Sequence, residues 1–123
     1  WYRVDKFLHR VPYEEVQKVY ADCDILLKTS ILESFSYPPI EMMATGGYVV
    51  ALLNDGNKEY LENEKNCLIY PNGDIDKAIH CIERIVSDQA LRDILYTNGI
   101  NTAKSRDWNL IKDSILIEYV KEK

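Results

Sequence analysis

The sequence predicts one α/β domain, a parallel sheet with flanking helices that ends in C-terminal helices. Three observations carry that prediction. Up to residue 70, short apolar runs alternate with amphipathic segments, as successive strand–helix units require. Residues 48–53 are apolar without interruption, as in a strand covered on both faces, which is a property of parallel sheets. Beyond residue 74 the apolar residues recur only at helical spacing.

The elements follow in order. Residues 4–8, with Val4, Phe7 and Leu8, read as a short first strand. Pro12 suits a first helical turn, and Val16, Val19, Tyr20 and Cys23 recur at helical spacing, so residues 13–22 read as a helix. Residues 24–28 form a short buried strand, and residues 29–37 a Ser-rich loop. Pro38-Pro39 can open a helix, because the N–H groups they lack would be unbonded there anyway. That helix runs over residues 40–45 and stops at Gly46-Gly47.

After the strand 48–53, residues 54–57 are a turn cluster and 58–62 a short helix. Residues 67–70 are a last strand, ended by the loop 71–74. Ile75, Ala78, Ile79, Ile82, Ile85 and Val86 form one helical stripe, and Leu91, Ile94 and Leu95 a second. Leu110, Ile111, Ile115, Tyr119 and Val120 make a third. The pattern yields four strands, fewer than a complete doubly wound sheet contains. Residues 1–123 are therefore read as a single, partial domain, a piece of a longer protein truncated on its N-terminal side.

Composition narrows the function. Lys and Arg number 15 against 20 Asp and Glu, a net charge of −5, and no basic cluster offers a nucleic-acid surface. The longest apolar run is six residues, far short of the roughly 20 that span a bilayer. Cys23, Cys67 and Cys81 form neither a disulfide framework nor a C-x-x-C metal motif and read as small core residues. No apolar signal segment follows Trp1.

In an open parallel sheet, ligands bind beyond the carboxyl ends of the strands. The richest loop there carries Glu33 and Ser34-Phe35-Ser36-Tyr37, and the following helix places Glu41 in its first turn. Small Ser residues let backbone N–H groups approach an anion at a helix N-terminus. Glu33 and Glu41 can each accept two hydrogen bonds from vicinal hydroxyls, as a sugar or ribose offers. Both also have plain readings, Glu33 as a solvated loop charge and Glu41 as a partner of the helix dipole. Lys28, at the end of a buried strand, can reach the same crevice. His9 and His80 read as structural, and the Ser and Cys residues have no His–Asp partners for nucleophilic catalysis.

The segment Glu33-Ser-Phe-Ser-Tyr-Pro-Pro-Ile-Glu41 resembles the E-x7-E signature of retaining glycosyltransferases of the GT-B fold, most closely glycosyltransferase family four. Other stretches match in the family's order. Residues 20–27 are similar to its approach to the site, and residues 55–61 to its G-G-x-P-E-x-V/I turn. Residues 66–74 are similar to its N-G-L-L-V-x-P-G-D strand and loop. Ser105-Arg106-Asp107-Trp108 resembles its Trp-containing lead into the final helix, where Trp108 would anchor that helix in the core. Ser34 and Ser36 stand where many members have Gly, and Tyr48 and Lys58 where Pro is common.

The resemblance implies a Rossmann-like C-terminal half of a GT-B fold and transfer of a sugar, with retention, from a UDP- or GDP-linked donor. It gives Glu33 the contact to the donor sugar and Glu41 the ribose. The N–H groups of Phe35, Ser36 and Tyr37 would face sugar and diphosphate, and Arg10 and Val11 would lie beside the base. No metal or other cofactor is implied. A glycan or lipid-linked acceptor would bind a missing N-terminal domain, and the family's phosphate-binding Arg and Lys would lie upstream of Trp1. Polysaccharide or glycoconjugate synthesis in the cytoplasm, with peripheral membrane association of the full-length protein, completes the expectation. The competing readings are a sugar-nucleotide 2-epimerase of the same fold and a non-catalytic interaction module.

Overall fold

A computed structural model describes residues 3–107 and 109. The elements in chain order are α1 (Tyr13–Ala21), β1 (Ile25–Lys28), α2 (Tyr37–Ala44), β2 (Tyr48–Ala51), β3 (Leu68–Ile69), α3 (Ile75–Ser87) and α4 (Gln89–Ser105). The three strands form one parallel sheet in the order β1-β2-β3. In register, Leu27 lies beside Val50 and Val50 beside Leu68. The fold is α/β, as the alternation of elements predicts.

β2 organises the interior because alternate residues of a strand face opposite ways. Val50 joins Leu68, Tyr70, Ala78, Cys81, Ile85, Leu91 and Leu95 in a core under α3 and α4. Val49 and Ala51 face the other way, onto Met42, Met43, Tyr60, Leu61 and Cys67. Val49, Val50 and Ala51 are fully buried, which is why the sequence shows no polar residue between positions 48 and 53.

The helix ends have named causes. Asp74 accepts a hydrogen bond from the Lys77 N–H (2.8 Å) and Asp88 from the Leu91 N–H (2.9 Å), capping α3 and α4. Gly46 closes α2 at φ +83°, a left-handed conformation that a Cβ would strain.

Five expectations need correcting. Cys23, read as a core residue with Cys67 and Cys81, is exposed, while the other two are buried. Residues 4–8 form no strand: Val4 and Phe7 are exposed, and no described strand pairs with them. The sheet of the described residues therefore has three strands, not four. Residues 58–62 are not a helix but the end of a run of turns, in which Asn54 O accepts from both the Asn57 and Lys58 N–H groups. The helix predicted over 40–45 begins earlier, at Tyr37, because the prolines occupy its second and third positions instead of preceding it. The third stripe, residues 110–120, and Trp108 lie outside the described residues.

Val50→Ala should lower stability by roughly 1–3 kcal/mol, through lost burial and the cavity left between the sheet and the helices α3 and α4. Denaturant titration checks this, and a change below about half a kilocalorie would remove β2 from its central role.

Candidate functional site

The site is built where β1 and β2 end. Lys28 closes β1 with its side chain 13% exposed, and its ammonium donates to Ser30 Oγ (2.6 Å) and to Glu33 Oε1. These contacts, with Lys28 first, hold the Glu33 carboxyl below the usual carboxylate range. Such a group adds stability above its unfolded value of about pH 4.3 and loses it as pH falls through the depressed one.

The loop that carries Glu33 is tied to the turn after β2. Asn54 Nδ2 donates to Ser30 O (2.9 Å), and the Ser36 N–H donates to Gly56 O (2.9 Å). The Tyr60 hydroxyl donates to Ser36 O, and burial pushes its phenol well above the ordinary value. The turn is held from within. The Asn54 N–H donates to Asn57 Oδ1 (2.9 Å), Asn57 Nδ2 to Leu52 O (2.9 Å), and the Gly56 N–H to Asn54 Oδ1 (3.0 Å). Gly56 is needed for space: a Cβ there would stand 2.7 Å from Glu33 Cβ and 2.8 Å from Glu33 O.

The head of α2 offers fewer N–H groups than a helix start ordinarily does. Four are normally unbonded. Here Pro38 and Pro39 have none, and that of Ser36 is taken by Gly56, which leaves Tyr37. The Ser36 N–H, expected to face a diphosphate, is thus already engaged. Among the described residues, the Phe35 and Tyr37 N–H groups donate to no protein acceptor. Phe35 is half-buried, edge-on to Tyr37 at 4.8 Å between ring centroids and tilted against Tyr60 at 5.8 Å.

Glu41 is not in a first turn. It is the fifth residue of α2, half-buried and turned toward α1. Burial, with the Glu41 charge and hydrogen bond added, pushes the Tyr20 phenol up to about 12. Tyr13, Glu14, Gln17, Tyr20, Glu41 and Thr45 line a groove of about 520 Å³ between the two helices. Arg10 is exposed at φ +53° and Val11 half-buried, and neither lines this groove. The two carboxylates of the E-x7-E spacing therefore meet different neighbours. Among the described residues no group of three or more His, Cys, Asp or Glu is placed to hold a metal.

Sequence reasoning missed Asn54, Asn57 and Tyr60 as the parts that hold the loop. Their signals were the turn cluster 54–57 and the family-like stretch 55–61, which mark a turn without saying what it binds.

The Glycosyl transferases group 1 family matches residues 5–102. The O-antigen biosynthesis protein RfbC of Myxococcus xanthus is 31% identical over 112 residues, covering 89% of this chain and 8% of that protein. An uncharacterized glycosyltransferase of Methanocaldococcus jannaschii is 27% identical over 112 residues, 89% of this chain and 28% of that one. The chain thus spans less than a third of these curated relatives. Among solved structures, sucrose-phosphate synthase of Thermosynechococcus elongatus superimposes with a TM-score of 0.83 at 25% identity, over 94% of this chain and 29% of that one. HepE of Anabaena in complex with UDP-glucose gives 0.76 at 24% identity, over 85% and 29%.

Two stability changes follow from this geometry. Asn57→Ala should cost roughly 1–3 kcal/mol for each buried backbone group it leaves unpaired, at Leu52 O and the Asn54 N–H. Ser36→Ala should have the opposite sign. An N-cap serine ordinarily bonds the second or third N–H of its helix, but here both residues are proline and the buried Oγ has no partner among the described residues. Removing it should stabilise the chain by about 1 kcal/mol. Thermal or denaturant unfolding reads both, and a destabilised Ser36→Ala would mean that the hydroxyl has an acceptor.

Proposed function

The chain belongs to the Glycosyl transferases group 1 family, and we propose that it forms the donor-binding part of an enzyme that moves a sugar from a nucleoside diphosphate to an acceptor. The observation that carries this reading is the meeting of Glu33 with the head of α2. An ionised carboxylate, fixed by Lys28, stands four residues before the unengaged Tyr37 N–H, beyond the carboxyl ends of a parallel sheet.

Each part has a job in the transfer. Glu33 accepts hydrogen bonds from donor-sugar hydroxyls, and these strengthen as positive charge grows on the ring. The Phe35 and Tyr37 N–H groups, with Ser36 between them, face the diphosphate and steady its charge as the glycosidic bond breaks. Glu41 takes the ribose hydroxyls, and Arg10 and Val11 flank the base. With two prolines at the helix start, the loop supplies little anion affinity. The remaining phosphate charge falls to basic groups elsewhere in the protein, and no metal or further cofactor is needed in this reading.

A uridine nucleotide is supported by a protein of the same fold that holds UDP-glucose, with guanosine as the alternative. The likeness to an O-antigen biosynthesis protein supports polysaccharide or glycoconjugate synthesis. Membership of glycosyltransferase family four, and with it retention, is the finer assignment we propose from the E-x7-E spacing. The acceptor, a glycan or a lipid-linked one, is bound by the rest of a longer protein. No described helix is long and apolar enough to cross a membrane, and we place the enzyme in the cytoplasm, peripheral to the membrane where the acceptor is lipid-linked.

In the full-length enzyme, Glu33→Gln should lower kcat by at least about tenfold, or ~1.4 kcal/mol, with a smaller effect on KM. Unchanged turnover would remove Glu33 from the chemistry. For the chain alone, titrating UDP-glucose into isotopically labelled protein should move the amide signals of residues 33–41 without saturation below about 1 mM. Saturation far below that concentration would show that the phosphate contacts lie within this chain.

A further inference from the structure

Lys28 sits at the end of β1 with its backbone locked in place. Its carbonyl accepts from the Leu52 N–H (3.1 Å) and from the Tyr70 hydroxyl (3.2 Å), so both the neighbouring strand's end and the segment after β3 fix it. Its side chain is 13% exposed, and its ammonium spans Ser30 Oγ (2.6 Å) and Glu33 Oε1. Ser30 is itself held through its carbonyl by Asn54 (2.9 Å), and the Glu33 backbone lies against Gly56. The other ion pairs of the described residues join more exposed surface groups, such as Lys58 with Asp55 and Lys65 with Glu62. At such exposure a pair contributes little. A largely buried lysine spent on a loop carboxylate calls for another explanation than surface stability.

We infer that Lys28 is a positioning residue for Glu33: its ammonium, anchored through Ser30, holds one carboxylate oxygen and so aims the other at the donor-sugar hydroxyls. The inference rests on the reading of Glu33 given above. At neutral pH the Glu33 carboxylate is ionised with or without its partner, so what Lys28 supplies is direction. A carboxylate on a loop, left without that partner, samples several rotamers, and a displacement of about an ångström is enough to weaken a directional hydroxyl contact. Lys28 also offsets a negative charge beside an incoming diphosphate. That effect acts on any nucleotide, whereas aiming acts on the sugar alone.

The test compares the chain with Lys28→Met and Lys28→Arg, following the Glu33 side-chain carboxyl and the amides of residues 33–41 by NMR. In the parent chain the carboxyl should titrate below the ordinary range. In Lys28→Met it should rise back toward the ordinary carboxylate range, and Lys28→Arg, which keeps a cation, should restore the low value. The response to UDP-glucose should weaken roughly three- to tenfold in Lys28→Met, and the response to UDP by less. An unshifted Glu33 titration in a natively folded Lys28→Met chain would overturn the inference. So would an equal loss for UDP and UDP-glucose, which would make Lys28 a phosphate contact. If the parent chain answered neither nucleotide, the donor reading would fail, and the Glu33 titration would still decide whether Lys28 governs that carboxylate.

Discussion

The carboxyl edge of the sheet depends on how the chain turns at the end of β2. Residues 52–57 leave a buried strand and reverse with Leu52, Asn54, Gly56 and Asn57 buried, where unpaired backbone groups cost about 1–3 kcal/mol each. Two carboxamides meet that demand. Asn57, fully buried, spans the Leu52 carbonyl and the Asn54 N–H, and Asn54 spans the Gly56 N–H and the Ser30 carbonyl. An amide side chain both donates and accepts, which neither a carboxylate nor an ammonium can do. The Glu33 loop is then set by what the turn offers: a Gly56 carbonyl for Ser36, and room at Gly56 for Glu33.

The start of α2 shows two local rules in conflict. A serine in extended backbone before a helix is a favoured cap, and proline is favoured in a first turn. Placed together, they cancel: the prolines remove the N–H groups that the serine would accept, and the Ser36 hydroxyl is buried unpaired. The same pair of prolines shifts the helix start to Tyr37, which moves Glu41 past the first turn and onto the α1 side.

Much of this architecture was legible in the sequence. The central strand, read over 48–53 and found over 48–51, followed from an uninterrupted apolar run, α3 and α4 from apolar residues at helical spacing, and the loop read over 29–37 from its composition. The misreadings have physical causes. Val4, Phe7 and Leu8 suggested a strand, but a strand also needs a neighbour to bond, and local composition does not supply one. Residues 58–62 had helix-compatible side chains, while the hydrogen bonds converging on Asn54 and Asn57 kept them in turns. Within the site, the E-x7-E spacing marked the two carboxylates. It could not tell that they look onto different neighbours, nor that Asn54 reaches back 24 residues to Ser30. Contacts of that kind are made by the sheet, which brings the ends of β1 and β2 side by side.

The tie between Ser36 and Gly56 has a consequence for recognition. Ordering a loop residue on binding costs about 1–2 kcal/mol of backbone entropy, and a flexible loop loses that amount from whatever affinity its contacts provide. Here the ordering is completed during folding, because the Ser36 N–H and carbonyl are both bonded to the turn before any ligand arrives. In the proposed donor-binding role, the loop backbone is preorganised around Ser36, and the contacts made to the donor enter the affinity largely undiminished.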